Sequence, residues 1–471
     1  MAGAETGLTA IRRAGLWPRL LLISAGIGLH AFNEFAIAGA LPRAAVAFQG
    51  QGIIGLVPAF YAIGAVAGGM TGVLIRRRLG VRAAMLCGVA VFLLGALMAL
   101  WAPGMGWLVL GRGISGISEG LIMAICYSLI PELFPADMVP AVFAAEAVVW
   151  AAAGVLGPLA GGTLTEWLGW RVSMLTALPV LLVFVTCCLR VLPDEPADRA
   201  ALGGLGRLWP VAISLTGAAI ISAPALLTGA GLQLGLLLAG VGFLVLAFRL
   251  DSRQDNPVFP RRSFRGDRMG LGMWVMALIS FAHYLAQPFT ALGLQEMFGL
   301  TATWVGIGSV TLALSWSVVA IVTSHNRFDR WRPGFAMIGP LGQAAGAGLM
   351  AAGMGFGNLA LIICGQVVIG AGFALMWGPV AQAVMEAAPS DERDRAGGIM
   401  PTIAALGSAI GAGIGGIIAL QTDLATALGQ PTGAGAAALV QWGVAAGCGL
   451  IGAAAGLGLK RAGASPEAAC S

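Results

Sequence analysis

The chain alternates long apolar runs with short polar segments rich in arginine. Runs long enough to cross a hydrocarbon core of about 30 Å lie at 20–41, 52–75, 83–102, 106–130, 138–163 and 171–192. A polar stretch, Pro193 to Arg207, carries Asp194, Glu195, Asp198 and Arg199 and precedes two further runs at 208–228 and 230–250. An Arg-rich segment, Arg249 to Arg268, leads into six more, at 269–292, 301–324, 333–354, 357–386, 395–420 and 434–458. The pattern predicts an all-α membrane protein of fourteen spans arranged six, two and six. Its expected units are an N-terminal six-helix bundle over 1–192, a linker pair with flanking segments over 193–268, and a C-terminal six-helix bundle with a short tail over 269–471. For the middle pair, rich in Gly and Pro, a re-entrant path competes with a full crossing.

Composition agrees. Of 471 residues, 58% are hydrophobic before any of the 72 glycines is counted, and only 10% are charged. Soluble domains carry about 25% charged residues, so a soluble globular chain is excluded, and disorder with it. A net charge of +5 does not indicate nucleic acid, because the arginines are scattered and Lys460 is the single lysine. The seven cysteines show no CxxC and no metal spacing; buried packing thiols are expected. The first apolar run continues past Arg12, Arg13 and Arg19 without a small-residue cleavage site, so a retained span is expected rather than a signal peptide.

Charge placement tests the count independently through the positive-inside rule. With the N-terminus on one side and strict alternation, 23 of the 26 basic residues fall on that side. Arg43 and Arg171 fall opposite, and Arg112 lies within a span. Both termini are therefore expected in the cytoplasm. Glycine at every fourth position (Gly64, Gly68, Gly72 and again Gly407, Gly411, Gly415) predicts close helix crossings, as does the pair Gly116 and Gly120. Pro58, Pro158, Pro224, Pro288 and Pro379 predict kinks.

The informative residues are the ionisable ones inside spans, each costing roughly 2.5–3.5 kcal/mol at the bilayer centre. Glu34 lies 15 residues after Arg19, about 22 Å along a helix. His283 lies 15 residues after Arg268, at nearly the same depth. Arg112 and Glu119 are two turns apart on one helix face, and Glu146 lies near the start of the fifth span. These residues are expected to share an interior. A movable carboxylate proton suits coupling work, since desolvation and a nearby guanidinium act on it in opposite senses. Static readings compete: Glu119 paired with Arg112, Glu146 reaching the surface, and His283 hydrogen-bonded beside Tyr284 and Gln287.

With these residues in place, the sequence resembles the major facilitator superfamily, in particular its fourteen-span drug:proton antiporters, over nearly the whole chain. The first span ends in Ala40-Leu41-Pro42 with Asn33-Glu34 before it; the fourth holds Arg112-Gly-Ile-Ser115-Gly116; the fifth holds Gly157, Pro158, Gly161 and Gly162 in a GPxxGG spacing. Trp170-Arg171 with Pro179 matches the start of the sixth. The loop after the second span departs: Arg76, Arg77, Arg78, Gly80 and Arg82 stand with arginine where the family carries aspartate, whereas Asp329 is retained beside Arg330 in the corresponding later loop. Arg76–Arg78 would then hold anionic lipid or the carboxylates of Asp391–Asp394.

The resemblance implies two bundles rocking about a central cavity, with Glu34, Arg112 and Glu119 in proton coupling. Asn33, Glu146, Trp150, His283, Tyr284, Gln287 and Trp377 are the expected cavity residues. It further implies a monomer in the bacterial inner membrane that exports a small, drug-like organic molecule, with protons as the coupling ion and no other cofactor. Export of an endogenous metabolite or siderophore, and proton symport for uptake, are the competing readings. An enzyme would need a catalytic constellation, and HExxH does not occur.

Overall fold

The computed structural model describes residues 8–135, 138–194, 209–223, 229–254, 257, 259–263, 265–323, 326–389, 393–430 and 432–463. Chain order begins with a short α1 (Leu8–Arg13), followed by α2 (Trp17–Ala47), α3 (Leu56–Leu79), α4 (Val81–Leu100), α5 (Met105–Leu133) and α6 (Val139–Leu168). The next crossing is broken into α7 (Trp170–Ser173) and α8 (Leu178–Val191). The middle pair is α9 (Trp209–Ser222) and α10 (Ala230–Asp251). Then come α11 (Arg268–Glu296), α12 (Ala302–Thr323), α13 (Arg332–Phe356), α14 (Leu359–Ala387), α15 (Arg393–Gln421), the short α16 (Leu424–Leu428) and α17 (Gly435–Gly463).

Thirteen helices among the described residues are long and apolar enough to cross a membrane, making this a multi-pass membrane protein. The remaining expected span, 208–228, is represented by α9, whose 14 described residues give about 21 Å at 1.5 Å per residue. That helix packs on α10 with Gly217 against Gly240, and contacts both α3 and α15. The side-chain amide of Gln421 in α15 donates to Gln233 of α10 at 2.5 Å.

Helix ends follow local chemistry. Gly80 has φ +79°, a left-handed conformation open to glycine, and it turns the chain from α3 into α4. Asp267 caps α11 by accepting from the Gly270 N–H, and Asn358 caps α14 by accepting from Leu361. Pro158, Pro288 and Pro379 lie inside helices as expected. Pro58 instead sits in the first turn of α3, where no intrahelical bond is lost; Pro224 falls outside the described residues.

The glycine repeats are crossings. Gly64 and Gly68 meet the α5 backbone at Gly113 and Ile117, and Gly116 and Gly120 meet α3 at Tyr61 and Ala65. Gly407, Gly411 and Gly415 meet α11 at Ala277, Phe281 and Leu285. Of the cysteines, Cys126, Cys187 and Cys188 are buried, whereas Cys87 and Cys364 are exposed.

Two hydrophobic cores show how the bundles meet. One is confined to the N-terminal bundle and holds Leu20, Ile23, Met85, Ile125, Leu129 and Phe184, grouped toward the arginine-bearing ends of its helices. The other runs through the C-terminal bundle and takes in Ala40, Leu41, Ala44, Leu56, Val57 and Leu108 from the N-terminal one. Those six lie at the opposite ends of α2, α3 and α5. The bundles are thus fused by apolar packing at the face away from the arginines. Toward the arginine-rich face their cores separate. Two ion pairs near that face each lie within a bundle: Arg76 with Glu132 at 2.5 Å, and Arg268 with Glu386 at 2.9 Å.

Candidate functional site

Between the bundles lies a cavity with an empty volume of about 1210 Å³, counting the part open to solvent. Glu34, Tyr61 and Arg112 come to it from the N-terminal bundle; His283, Tyr284, Gln287, Gln343 and Gln366 come from the C-terminal one. Leu41, Val57, Met350, Ile369 and Trp442 supply much of its apolar wall. The equal offsets of Glu34 and His283 from Arg19 and Arg268 are realised: Tyr284, next to His283, donates its hydroxyl to Glu34 Oε1.

Behind Glu34 stands a buried polar cluster. One turn earlier on α2, His30 places Nε2 3.6 Å from Glu34 Oε2 and Nδ1 3.2 Å from Glu119 Oε2. Tyr61 Oη lies 2.8 Å from the same Nδ1 and donates to Glu119 Oε2. Asn33 Nδ2 donates to Glu119 Oε1 at 2.5 Å. Glu119 is 1% exposed, and both its oxygens are engaged by α2 and α3. Such a buried carboxyl group is tolerated because each of its oxygens has a hydrogen-bond partner. Arg112 is 5% exposed; its guanidinium lies over the Tyr61 ring, 4.5 Å from the centroid. Its Nε is buried without a hydrogen-bond partner. Arg112 and Glu119 therefore do not form the ion pair that their spacing suggested: Tyr61 stands between them, ring toward the cation and hydroxyl toward the anion.

Several expected residues lie elsewhere. Asn33, Glu146, Trp150 and Trp377 are not among the cavity-lining residues. Asn33 turns to Glu119. Glu146 is buried rather than reaching the surface; its Oε1 accepts from Ser24 at 2.8 Å and its Oε2 has no partner. Trp150 packs edge-on behind His30, with centroids 5.7 Å apart, and against Phe35. Trp377 ends an aromatic ladder. His283 meets Phe373 edge-on at 5.4 Å, Phe373 stacks on Trp316 at 5.2 Å, and Trp316 meets Trp377 at 6.3 Å.

The GPxxGG segment has two working flanks. Gly157 and Gly161 face α2 at Phe32 and Ala36, within the bundle. Pro158 and Gly162 face α12 across the interface, at Gly306 and Ala302. A methyl group at Gly162 would come within 2.5 Å of the Ala302 carbonyl oxygen. Gly39 of α2 completes that contact, since a Cβ there would lie 2.7 Å from the Gly162 Cα.

Among the loop residues, Arg76 also donates to Ser128 Oγ at 3.0 Å, and Arg77 is exposed. Arg78 buries Nε and one terminal nitrogen without a partner. Arg82 does not reach another loop: its Nε donates at 2.9 Å to the Leu192 carbonyl, tying the start of α4 to the end of α8. Arg330 lies over Trp331, 5.3 Å from the ring centroid. The side chain of Asp329 and the carboxylates of Asp391–Asp394 fall outside the described residues. Among the described residues, no three His, Cys, Asp or Glu side chains converge as metal ligands would.

The sequence reading passed over four residues of this region: His30, Tyr61, Gln343 and Gln366. His30 precedes Glu34 by four positions, the spacing that stacks side chains on one helix face. Tyr61 is one of only three tyrosines in the chain, all within apolar runs. The two glutamines interrupt otherwise apolar helices.

Residues 23–412 match the family described as Major Facilitator Superfamily. A probable multidrug-efflux transporter of Mycobacterium tuberculosis is 28% identical over 426 residues, 86% of this chain and 89% of that one. The tetracenomycin C resistance and export protein of Streptomyces glaucescens is 25% identical over 85% of this chain and 76% of its own length. In fold, a peptide transporter superposes with a TM-score of 0.68 at 15% identity, covering 95% of each chain. A D-xylose-proton symporter superposes with 0.65 at 17%, covering 93% of this chain and 96% of its own.

Proposed function

The chain belongs to the Major Facilitator Superfamily, and on that premise we propose that it exports a small amphiphilic organic molecule in exchange for protons by alternating access. It acts as a transporter and not as an enzyme, as a monomer in a bacterial inner membrane with both termini in the cytoplasm. The proton is its coupling ion, with no other cofactor. Its likeness to multidrug-efflux and antibiotic-export proteins supports export over uptake.

The observation that carries the coupling is the position of Glu34. It lines the cavity, touches the C-terminal bundle through Tyr284, and faces the buried carboxylate Glu119 through His30. With a proton on each ring nitrogen, His30 is a cation between two anions. A proton arriving at Glu34 removes one anion and replaces a charge-assisted bond to Tyr284 with a weaker neutral one. The tie between the bundles at the membrane centre then weakens as the cavity loses a charge. Arg112, held over Tyr61, supplies positive potential without occupying Glu34 directly. On the proposed orientation, the fused face is periplasmic and the separating cores face the cytoplasm, where substrate enters.

Transport into everted vesicles, with a panel of dyes and antibiotics, tests the reading. Substrate-dependent collapse of an imposed proton gradient is the expected outcome. Substrate movement driven by its own gradient alone, with no proton flow, would sink it. A second reading is export of an endogenous metabolite or siderophore, and likeness to a relative named for resistance to and export of one particular compound, tetracenomycin C, favours it.

A further inference from the structure

We propose that Gln343 and Gln366 form a neutral hydrogen-bonding subsite in the C-terminal wall of the cavity. It recognises an adjacent donor and acceptor on the transported molecule, as in a carboxamide or a hydroxy-ketone. The inference rests on the export reading above and specifies which chemistry the cavity selects.

Both residues line the cavity, and they are 2% and 5% exposed. The Gln343 amide has a defined orientation. Its Nε2 donates to the backbone carbonyl of Ile279 in α11 at 3.1 Å, a bond that only the nitrogen can make. The Oε1 of Gln343 is therefore the end left over, and it is buried with no donor from the protein. Gln366 is its counterpart: its Nε2 is buried with no acceptor from the protein. One orphan acceptor and one orphan donor thus belong to two residues that line the same cavity.

Helix packing brings them to one seam. Gly339 meets Gly372, and Gly346 meets Gly365, so α13 and α14 run backbone against backbone. Gln343 lies four residues after Gly339 and three before Gly346, on the helix face turned to that seam, and Gln366 lies three residues before Ile369, whose side chain meets Gly346. The opposite wall differs in kind. There the polar group is an acid, Glu34, which accepts from Tyr284 and contacts His30.

Buried amide groups are costly when unpartnered. A ligand that supplies an acceptor to Gln366 and a donor to Gln343 offsets both costs at once, whereas an apolar surface there offsets neither. A site built this way discriminates against analogues that lack the matching group. The lipophilic remainder of the ligand meets Met350, Ile369 and Trp442.

The test is direct binding to the full-length protein in lipid nanodiscs. One probe is tetracycline, which carries a carboxamide and hydroxy-ketone groups; the other is tetraphenylphosphonium, a lipophilic cation with neither donor nor acceptor. Gln343→Met and Gln366→Met keep side-chain length and remove the amide. Each is expected to weaken tetracycline binding about tenfold, the equivalent of one hydrogen bond near 1.4 kcal/mol, while tetraphenylphosphonium affinity stays within about twofold. If the methionine variants do not fold, Gln343→Asn and Gln366→Asn retract the amide by one methylene and should give the same selective loss. Equal loss for both probes, no loss for either, or a wild-type protein that does not bind tetracycline would overturn the subsite. Proton movement in vesicles is read separately. Selective binding without proton-coupled efflux fails the export reading and leaves the subsite standing; coupled efflux with unselective variants does the reverse.

Discussion

Tyr284 donates its hydroxyl to Glu34 across the interface between the two bundles. One residue belongs to α11 and the other to α2, so the bond joins the bodies that alternating access must separate. A hydrogen bond to a charged group is worth about 1.5–3 kcal/mol. Tyr284→Phe removes it while leaving the ring in place. The expected outcome is a shift of at least about tenfold in the balance between the two access states, read from distances between spin labels on the two bundles. An unchanged distance distribution would remove Tyr284 from the coupling.

Glu34→Gln retains the shape of the side chain and cannot carry charge. Proton-driven efflux in everted vesicles is expected to fall about tenfold or more, equivalent to 1.36 kcal/mol or above on the coupled step. Exchange of labelled for unlabelled substrate, which needs no net proton movement, should continue. Full proton-coupled transport by the variant would exclude Glu34 as the coupling carboxylate.

His30 connects Glu34 with Glu119, and His30→Leu breaks that connection without touching either acid. Substrate-induced proton release, followed with a pH dye on detergent-solubilised protein, is expected to disappear while substrate binding remains. Unaltered release would mean that Glu34 exchanges its proton with water alone.

The two flanks of the GPxxGG segment predict two different phenotypes. Gly161→Leu presses on the Ala36 carbonyl inside the N-terminal bundle, so it should lower the melting temperature, with overpacking costing about 1–3 kcal/mol. Gly162→Val presses on Ala302 and Thr303 of the other bundle. It should leave folding near wild type and stop transport, because the fused face no longer closes. Melting curves and vesicle uptake on the same preparations separate the two.

Arg82 caps the end of α8 through the Leu192 carbonyl. Arg82→Ala is expected to cost about 1–2 kcal/mol of stability at that helix end and to leave the turnover of surviving protein unchanged. A large loss of turnover at normal stability would restore Arg82 to the gating role that its loop position suggested.

Depth along the membrane was readable from the chain. Counting from Arg19 and Arg268 brought Glu34 level with His283, and the Tyr284 contact bears this out. The glycine spacings located two real crossings, α3 with α5 and α15 with α11. Rotation about each helix axis was not readable, because spans that are apolar all round carry no stripe to show which side faces inward. For that reason Trp377 and Glu146 were expected at the cavity and lie away from it, while Gln343 and Gln366 line it. Arg112 and Glu119 do share a helix face, but sequence gives no sign that a tyrosine from α3 comes between them. In the middle pair, α10 is long enough to cross, and the described part of α9 ends at Ser222.

The contact of α6 with α12 has a mechanical consequence. Interlocked side chains must change rotamer before two helices can part, and each such step adds roughness to the motion. At Gly162, Gly306 and Gly39 there are no side chains to disengage. The surfaces meet as smooth backbone, so the bundles can swing apart there with little friction, while Gly157 and Gly161 keep α6 seated on α2. One six-residue segment thus serves as a bearing, fixed on one side and free to slip on the other.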